Sequence, residues 1–164
     1  MFTHTLGYPR IGEFRELKTV LEQYWKHTKS FQDVERVAYQ LRTRVWNEQR
    51  KAGIDFIPIN DFSLYDHVLD HSILFGVIPE RYQTLINEEQ YFAMARGVQS
   101  EHIDLPAMEM TKWFDTNYHY IVPEFNQHTQ FKLNSKKVIT ELKEALDLGI
   151  SAKPVLLGPV SFLL

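Results

Sequence analysis

Short apolar segments alternate with amphipathic segments along this 164-residue chain, and this alternation constrains the fold more than any other feature. The apolar segments have the length and the branched or aromatic side chains of buried strands, as residues 54–59 show. The amphipathic segments repeat their apolar side chains at helical spacing. Strands that alternate with helices usually form a parallel sheet covered by helices. The pattern therefore predicts an α/β fold.

Four strands and the helices between them are predicted from this pattern. The strands are expected at residues 3–8, 54–59, 108–114 and 155–157. Helices are expected from Phe14, from Ser30 to a stop at Gly53, at 65–75, at 87–96, from Ser135 to a stop at Gly149, and from Pro159; residues 115–134 are irregular. A doubly wound open sheet fits this length, whereas a (β/α)₈ barrel needs about 250 residues. Four strand–helix units are thus about half of such a barrel.

Composition excludes several classes of protein. The chain has no cysteine, so it can form neither a disulfide framework nor a thiolate–zinc site. Its start lacks the features of a secretory signal, and no apolar run reaches the roughly 20 residues that span a bilayer. We therefore expect a cytoplasmic protein with no membrane partner. Residues 1–53 hold ten Lys and Arg against six Asp and Glu. This excess of positive charge is too small to predict a nucleic-acid partner, but it is compatible with a small anionic ligand.

Two cations near the N-terminus form the first candidate site. Arg15 and Lys18 are three residues apart in the opening turns of a predicted helix, so they share a face. Cations at this end oppose the helix dipole, and a bound carboxylate or phosphate would resolve that conflict. The alternative is a solvated helix face on which Glu13 and Glu16 compensate the charge. Spacing alone leaves both interpretations open.

A pair of histidines forms the second candidate site. His67 and His71 are spaced i, i+4 on a predicted helix, a separation that can chelate a metal, and Asp66 and Asp70 are adjacent. The pattern lacks the glutamate of the H-E-x-x-H zinc motif, and no third ligand is apparent. Two surface histidines without a metal are the favoured interpretation.

A lysine within a predicted strand forms the third candidate site. Lys112 lies among Met110, Trp113 and Phe114, and its amine must reach either solvent or an anion. Extension to the surface and contact with an anion explain the residue equally well. The chain has neither a nucleophile-elbow signature nor a glycine-rich phosphate loop, so no nucleophilic triad can be specified.

Four motifs lie in register along the chain, and they are THTLGYPRIG with FRELK, AGIDFIPINDFSLYDHVL, EMTKWFDTNYHYIVPEF and KPVLLGPVSFL. With these motifs the chain resembles the cobalamin-independent methionine synthases. The resemblance implies that residues 1–164 are the first half of the N-terminal (β/α)₈ barrel, a partial TIM-type barrel with no second domain. It also implies that the full enzyme transfers a methyl group from 5-methyltetrahydropteroylpolyglutamate to homocysteine, which yields methionine.

The resemblance also assigns roles to five residues. It implies that Arg15, Glu16, Leu17, Lys18 and Lys112 help to bind the folate, chiefly its glutamate tail. The three cations would clamp tail carboxylates, and the other two residues would contribute backbone or packing contacts. The family uses zinc and no cobalamin, and its zinc ligands and homocysteine site belong to a C-terminal barrel that this chain lacks. No catalytic residue and no metal site are therefore expected here.

Three interpretations of the chain follow from the resemblance. The first is an N-terminal fragment of the methyltransferase, inactive alone. The second is a natural short homologue that acts as a non-catalytic binding or assembly module, such as a half-barrel dimer. The third, another reaction on a similar barrel as in uroporphyrinogen decarboxylases, is disfavoured by the RELK and MTKW motifs. Half a barrel would leave two open strand edges, so self-association is expected.

Overall fold

The elements of the fold were assigned in a computed structural model that describes residues 1–163. They follow one another as α1 Glu16–Trp25, α2 Phe31–Lys51, β1 Ile57–Ile59, α3 His67–Phe75, α4 Asn87–Arg96, β2 Val98–Gln99, β3 Asp104–Leu105, β4 Met110–Lys112, β5 His119–Ile121, α5 Lys136–Asp147, β6 Ala152–Pro154 and α6 Pro159–Leu163. A short 3₁₀ turn, Glu80–Tyr82, lies between α3 and α4. None of the described helices combines the length and apolarity that crossing a membrane requires. Leu164 lies outside the described residues.

The chain divides into two compact units. The first consists of Met1–Leu64 and Lys137–Leu156, and it holds α1, α2, β1, most of α5, and β6. The second consists of Tyr65–Lys136 and the residues from 157 onward, and it holds the remaining elements. The first unit is therefore discontinuous in the sequence.

A parallel pair of strands, β1 and β6, forms the centre of the first unit. Ile57 of β1 lies opposite Ala152 of β6. Ile57 and Ile59 project from the same face of β1, as alternate strand residues do, and are buried against α2 and α5. Trp46 of α2 donates its indole N–H to the carbonyl of Pro58 at 3.0 Å. Helices thus cover one face of a parallel pair, which confirms the predicted α/β class.

Two antiparallel pairs, β2–β3 and β4–β5, belong to the second unit. Leu69, Met94 and Ile121 lie in its core, together with the fully buried Tyr82. A side-chain oxygen of Asp66 accepts the N–H groups that open α3, a standard N-cap contact. The helix therefore begins at a buried aspartate.

The predicted barrel half, with four parallel strands, differs from the structure. Residues 1–163 contain one parallel pair, and the predicted strand at 3–8 is reduced to a single parallel bridge between His4 and Phe56. The predicted strand at 108–114 instead pairs antiparallel with β5, which arises in the region predicted to be irregular. Phe114 and Asp115 adopt positive φ angles of 46° and 58°, and this left-handed turn reverses the chain. The last predicted strand lies about three residues earlier, as β6.

The helices agree better with their predictions. Ser30 and Asp33 form the expected capping box at the start of α2. The fourth helix spans Asn87–Arg96 as predicted, and Gly97 follows it. Sequence signals at the ends of these helices were therefore sufficient to predict where the helices lie.

Candidate functional site

The first pair of predicted site residues lies where α1 begins, Arg15 in the turn before the helix and Lys18 in its first turn. Arg15 adopts a left-handed conformation, with φ 61° and ψ 33°, immediately before the helix. Its N–H donates to the carbonyl of Gly12 at 3.2 Å, and the N–H of Leu17 donates to the carbonyl of Ile11 at 3.2 Å. These two bonds close the turn, and they leave the Arg15 side chain exposed.

Both cations of this turn are accessible to an anion. The Arg15 guanidinium forms no ion pair with any of residues 1–163, and Lys18 pairs only with Glu22, at 3.5 Å. That pair is half-exposed on both sides, and exposed i, i+4 pairs contribute little to stability. Lys18 can therefore exchange Glu22 for a ligand carboxylate at small cost.

Glu16 does not compensate either cation. One carboxylate oxygen, Oε2, accepts the N–H of Phe14 at 2.9 Å, and the other, Oε1, accepts from Arg44 Nη1 of α2 at 3.2 Å. Bonds from its own N–H and from that of Phe14 hold the pKa of the Glu16 carboxyl below its usual range. Leu17 is fully buried. The solvated-face interpretation, in which Glu13 and Glu16 compensate the charge, therefore has no support from Glu16.

Lys112, the fifth predicted site residue, belongs to the second unit. It lies in β4 opposite His119, and its side chain is exposed and makes no ion pair within the described part of the chain. Trp113 beside it packs edge-on against Phe114 and Tyr120, with ring centroids 4.9 and 5.4 Å away. Lys112 thus extends from an aromatic hairpin with its ammonium free to meet an anion.

The two histidines of α3 have a structural arrangement. His71 is fully buried, so the interpretation of two surface histidines is wrong for this residue. Its Nδ1 lies 2.8 Å from the carbonyl of His67, and its Nε2 accepts the N–H of Leu157 at 3.0 Å. Both ring nitrogens are therefore engaged by backbone groups, and neither has a lone pair left for a metal.

The chain does not fit the zinc ion that the resemblance implies for the full enzyme. Zinc sites use cysteine, histidine and carboxylate ligands, and the chain contains no cysteine. No group of three or more histidine, aspartate or glutamate side chains within residues 1–163 could hold a metal. We derive no chemistry through zinc for this chain.

A buried acid network in the second unit was missed by the sequence interpretation. Asp66 accepts N–H groups from the start of α3 and, at 3.2 Å, from Ile121 of β5. Burial raises the pKa of the Asp66 carboxyl to about 6. The Tyr91 hydroxyl donates to Asp70 at 2.7 Å, and burial raises the pKa of this phenol well above its usual range. Asp66 is the second residue of the helix predicted at 65–75 and directly precedes the observed α3, and an aspartate at this position was the available signal for the cap.

Comparison with known proteins identifies related sequences over almost the whole chain. The model of the family described as "Cobalamin-independent synthase, N-terminal domain" matches residues 2–164. This match confirms the resemblance that the four motifs indicated.

Three relatives are each named 5-methyltetrahydropteroyltriglutamate–homocysteine methyltransferase. The protein from Xylella fastidiosa (strain M23) is 56% identical over 162 residues, which cover 97% of this chain and 21% of the relative. The proteins from Cytophaga hutchinsonii and from Oryza sativa subsp. japonica are 54% and 50% identical, each over 100% of this chain and 22% and 21% of the relative. The chain therefore spans about a fifth of the length of the relatives it matches.

Proposed function

This chain belongs to the cobalamin-independent synthase N-terminal domain family, and from that premise we propose that its first unit binds the glutamate tail of a 5-methyltetrahydropteroylpolyglutamate. The relatives' name pairs a pteroyltriglutamate with homocysteine, and such a tail carries several carboxylates at neutral pH. The observation that carries the proposal is the exposed guanidinium of Arg15, which has no ion pair within residues 1–163.

The geometry of the turn suits a carboxylate ligand. A guanidinium can bind both carboxylate oxygens at once, and Arg15 is available for such a contact. Lys18 follows three residues later in the first turn of a ten-residue helix, whose dipole favours an anion at this end. Lys112, an exposed lysine of the second unit, is proposed as a separate contact for a tail carboxylate. Glu16 and Leu17 contribute to the shape and packing of the turn and do not contact the tail.

The complete methyl transfer is proposed for the longer proteins of the family and not for this chain alone. The relatives are about five times as long, and the donor set for a thiolate-activating zinc is lacking in residues 1–163. The family description specifies a cobalamin-independent reaction. We place homocysteine binding and the metal in the part of the relatives that this chain does not match.

A second proposal concerns assembly. Among residues 1–163, β6 pairs only with β1, so one edge of this strand carries unpaired backbone groups. Leu156, just beyond the strand, is 54% exposed. We propose that this edge mediates self-association, which also suits the alternative of a non-catalytic binding or assembly module.

Titration with pteroyltriglutamate tests the tail site. We expect Lys18→Ala to weaken binding about three- to tenfold, because it removes one cation from a site for a polyanion. Lys29→Ala serves as the control, since it removes an exposed lysine of the same unit outside the turn. Isothermal titration calorimetry gives both affinities. Equal affinity for wild type and Lys18→Ala would contradict the proposal.

A further inference from the structure

We propose that Arg44 is a positioning residue for the tail site, because it holds the Glu16 carboxylate and thereby the turn that presents Arg15. The inference rests on the proposed function, and it adds a residue from a different helix to that site. Arg44 itself lies behind the turn, on α2, and is not proposed to touch the ligand.

One carboxylate connects the turn to α2. Glu16 accepts the Phe14 N–H at 2.9 Å with one oxygen and the Arg44 guanidinium at 3.2 Å with the other. Phe14 directly precedes Arg15, so the first bond fixes the backbone next to the ligand-binding side chain. The second bond determines where the carboxylate lies, because it ties this oxygen to a helix. Arg44 therefore acts on Arg15 through Glu16 and Phe14.

Packing does not fix this turn by itself. A cavity of about 420 Å³ separates part of the loop before α1 from α2, and Arg44 and Trp46 line it. Across it, the Tyr8 hydroxyl donates to Glu48 at 3.1 Å, so this contact is polar too. Because side chains do not fill the space beneath the loop, its position depends on polar links such as that between Glu16 and Arg44.

Gly12 permits the folded-back position of Glu16. It adopts φ +88°, and a Cβ there would lie 2.0 Å from Glu16 Oε2 and 3.1 Å from a methyl group of Leu41. Any larger residue would displace the carboxylate from the Phe14 N–H. Gly12 thus leaves the space for this carboxylate, and Arg44 of α2 holds it there.

Loss of the Arg44 cation has a second effect in the same direction. Glu16 would keep its negative charge, one residue from Arg15, without a partner on α2. That carboxylate would then attract the Arg15 guanidinium and repel the carboxylates of the tail. Both effects lower the affinity for a polyanionic tail. The affinity for a ligand without the extra glutamates should change little.

The test compares Arg44→Met, Arg44→Lys and the control Arg36→Met by calorimetric titration with pteroyltriglutamate and pteroylmonoglutamate. Arg36 lies on the same helix and pairs with Asp33, away from the turn. We expect Arg44→Met to weaken triglutamate binding about three- to tenfold, with monoglutamate binding unchanged, and Arg44→Lys to recover most of the loss. Arg36→Met should bind both ligands like wild type.

A measurement without ligand separates positioning from general destabilisation. The amide of Phe14 should exchange hydrogen faster in Arg44→Met than in wild type, whereas the melting temperature should stay close to that of Arg36→Met. Triglutamate binding equal in Arg44→Met and wild type, or an equal loss for both ligands, would overturn the inference alone. A wild-type chain that shows no preference for triglutamate over monoglutamate would instead overturn the proposed function.

Discussion

Asp66 joins the start of α3 to β5 through one buried carboxyl, and this residue makes stability depend on pH. Its pKa in the folded protein is about 6, above the value of about 3.9 for an aspartate in an unfolded chain. The folded state therefore binds the proton more tightly than the unfolded state does. Its contribution to the free energy of unfolding is complete below about pH 4 and is lost as the pH rises through about 6.

We expect wild type to lose about 1 to 1.5 kcal/mol of unfolding free energy through this group between pH 5 and pH 7.5. Asp66→Asn cannot titrate, so the difference between wild type and this variant should change by that amount over the same interval. Urea denaturation at the two pH values measures it. Asp115→Asn, at an exposed position of the same unit, should behave like wild type. An identical pH dependence in wild type and Asp66→Asn would contradict the assignment.

At the residue scale, the cations of the candidate site could be predicted, whereas the partners of its acidic residue could not. Helical spacing places Arg15 and Lys18 at the beginning of α1, where the structure has them. Glu16 is balanced by Arg44, which is 28 residues away on another helix. Spacing within one helix carries no information about such a pair, so the sequence could not show that Glu16 pairs with Arg44.

Two helix ends show how the surroundings change the cost of the same substitution. Gly76 ends α3 and Gly149 follows α5, and both have φ +68°. A Cβ at Gly76 would lie 2.7 Å from the carbonyl oxygen of Lys132, whereas a Cβ at Gly149 would have no atom within 4 Å. The chain at Lys132 is held there because its N–H donates to the carbonyl of Phe75 at 2.8 Å.

We therefore expect Gly76→Ala to destabilise the protein by about 2 to 4 kcal/mol and Gly149→Ala by about 1 kcal/mol. Both variants carry the cost of alanine in the left-handed region, and only the first must also move a backbone carbonyl. Urea denaturation at one pH measures both values. A loss at Gly76 no larger than that at Gly149 would show that the contact with Lys132 is easily relieved.

At the scale of elements, helices with local end signals and the positions of β1 and β4 could be predicted, whereas the pairing of β4 could not. Ser30 with Asp33 and Gly97 mark the ends of α2 and α4 by contacts close in sequence. The β4–β5 pair depends on a reversal of the chain at Phe114 and Asp115. This turn contains neither a glycine nor an Asn-Gly pair, the sequence signals by which a hairpin turn is usually predicted. A parallel strand was therefore predicted where the structure has a hairpin.

For the whole molecule, we expect self-association through the open edge of β6. The sedimentation coefficient of wild type should rise with concentration, and Leu156→Lys should weaken this rise because charged side chains protect strand edges. Leu146→Lys is the matched control, since Leu146 is 57% exposed on α5. A concentration-independent monomer, or equal effects of both substitutions, would contradict the assignment of this edge.

The discontinuous first unit has a consequence for synthesis of the chain on the ribosome. β1 cannot find its parallel neighbour β6 until residues 137–156 have been made, and the whole of Tyr65–Lys136 comes first. At roughly 5 to 20 residues per second, the 92 residues from 65 to 156 take on the order of 5 to 18 s, and the nascent N-terminal segment waits that long for its partner. During that interval the apolar faces of α2 and β1 lack the part of their cover that α5 provides. A nascent-chain chaperone would therefore meet this protein before its first unit can close.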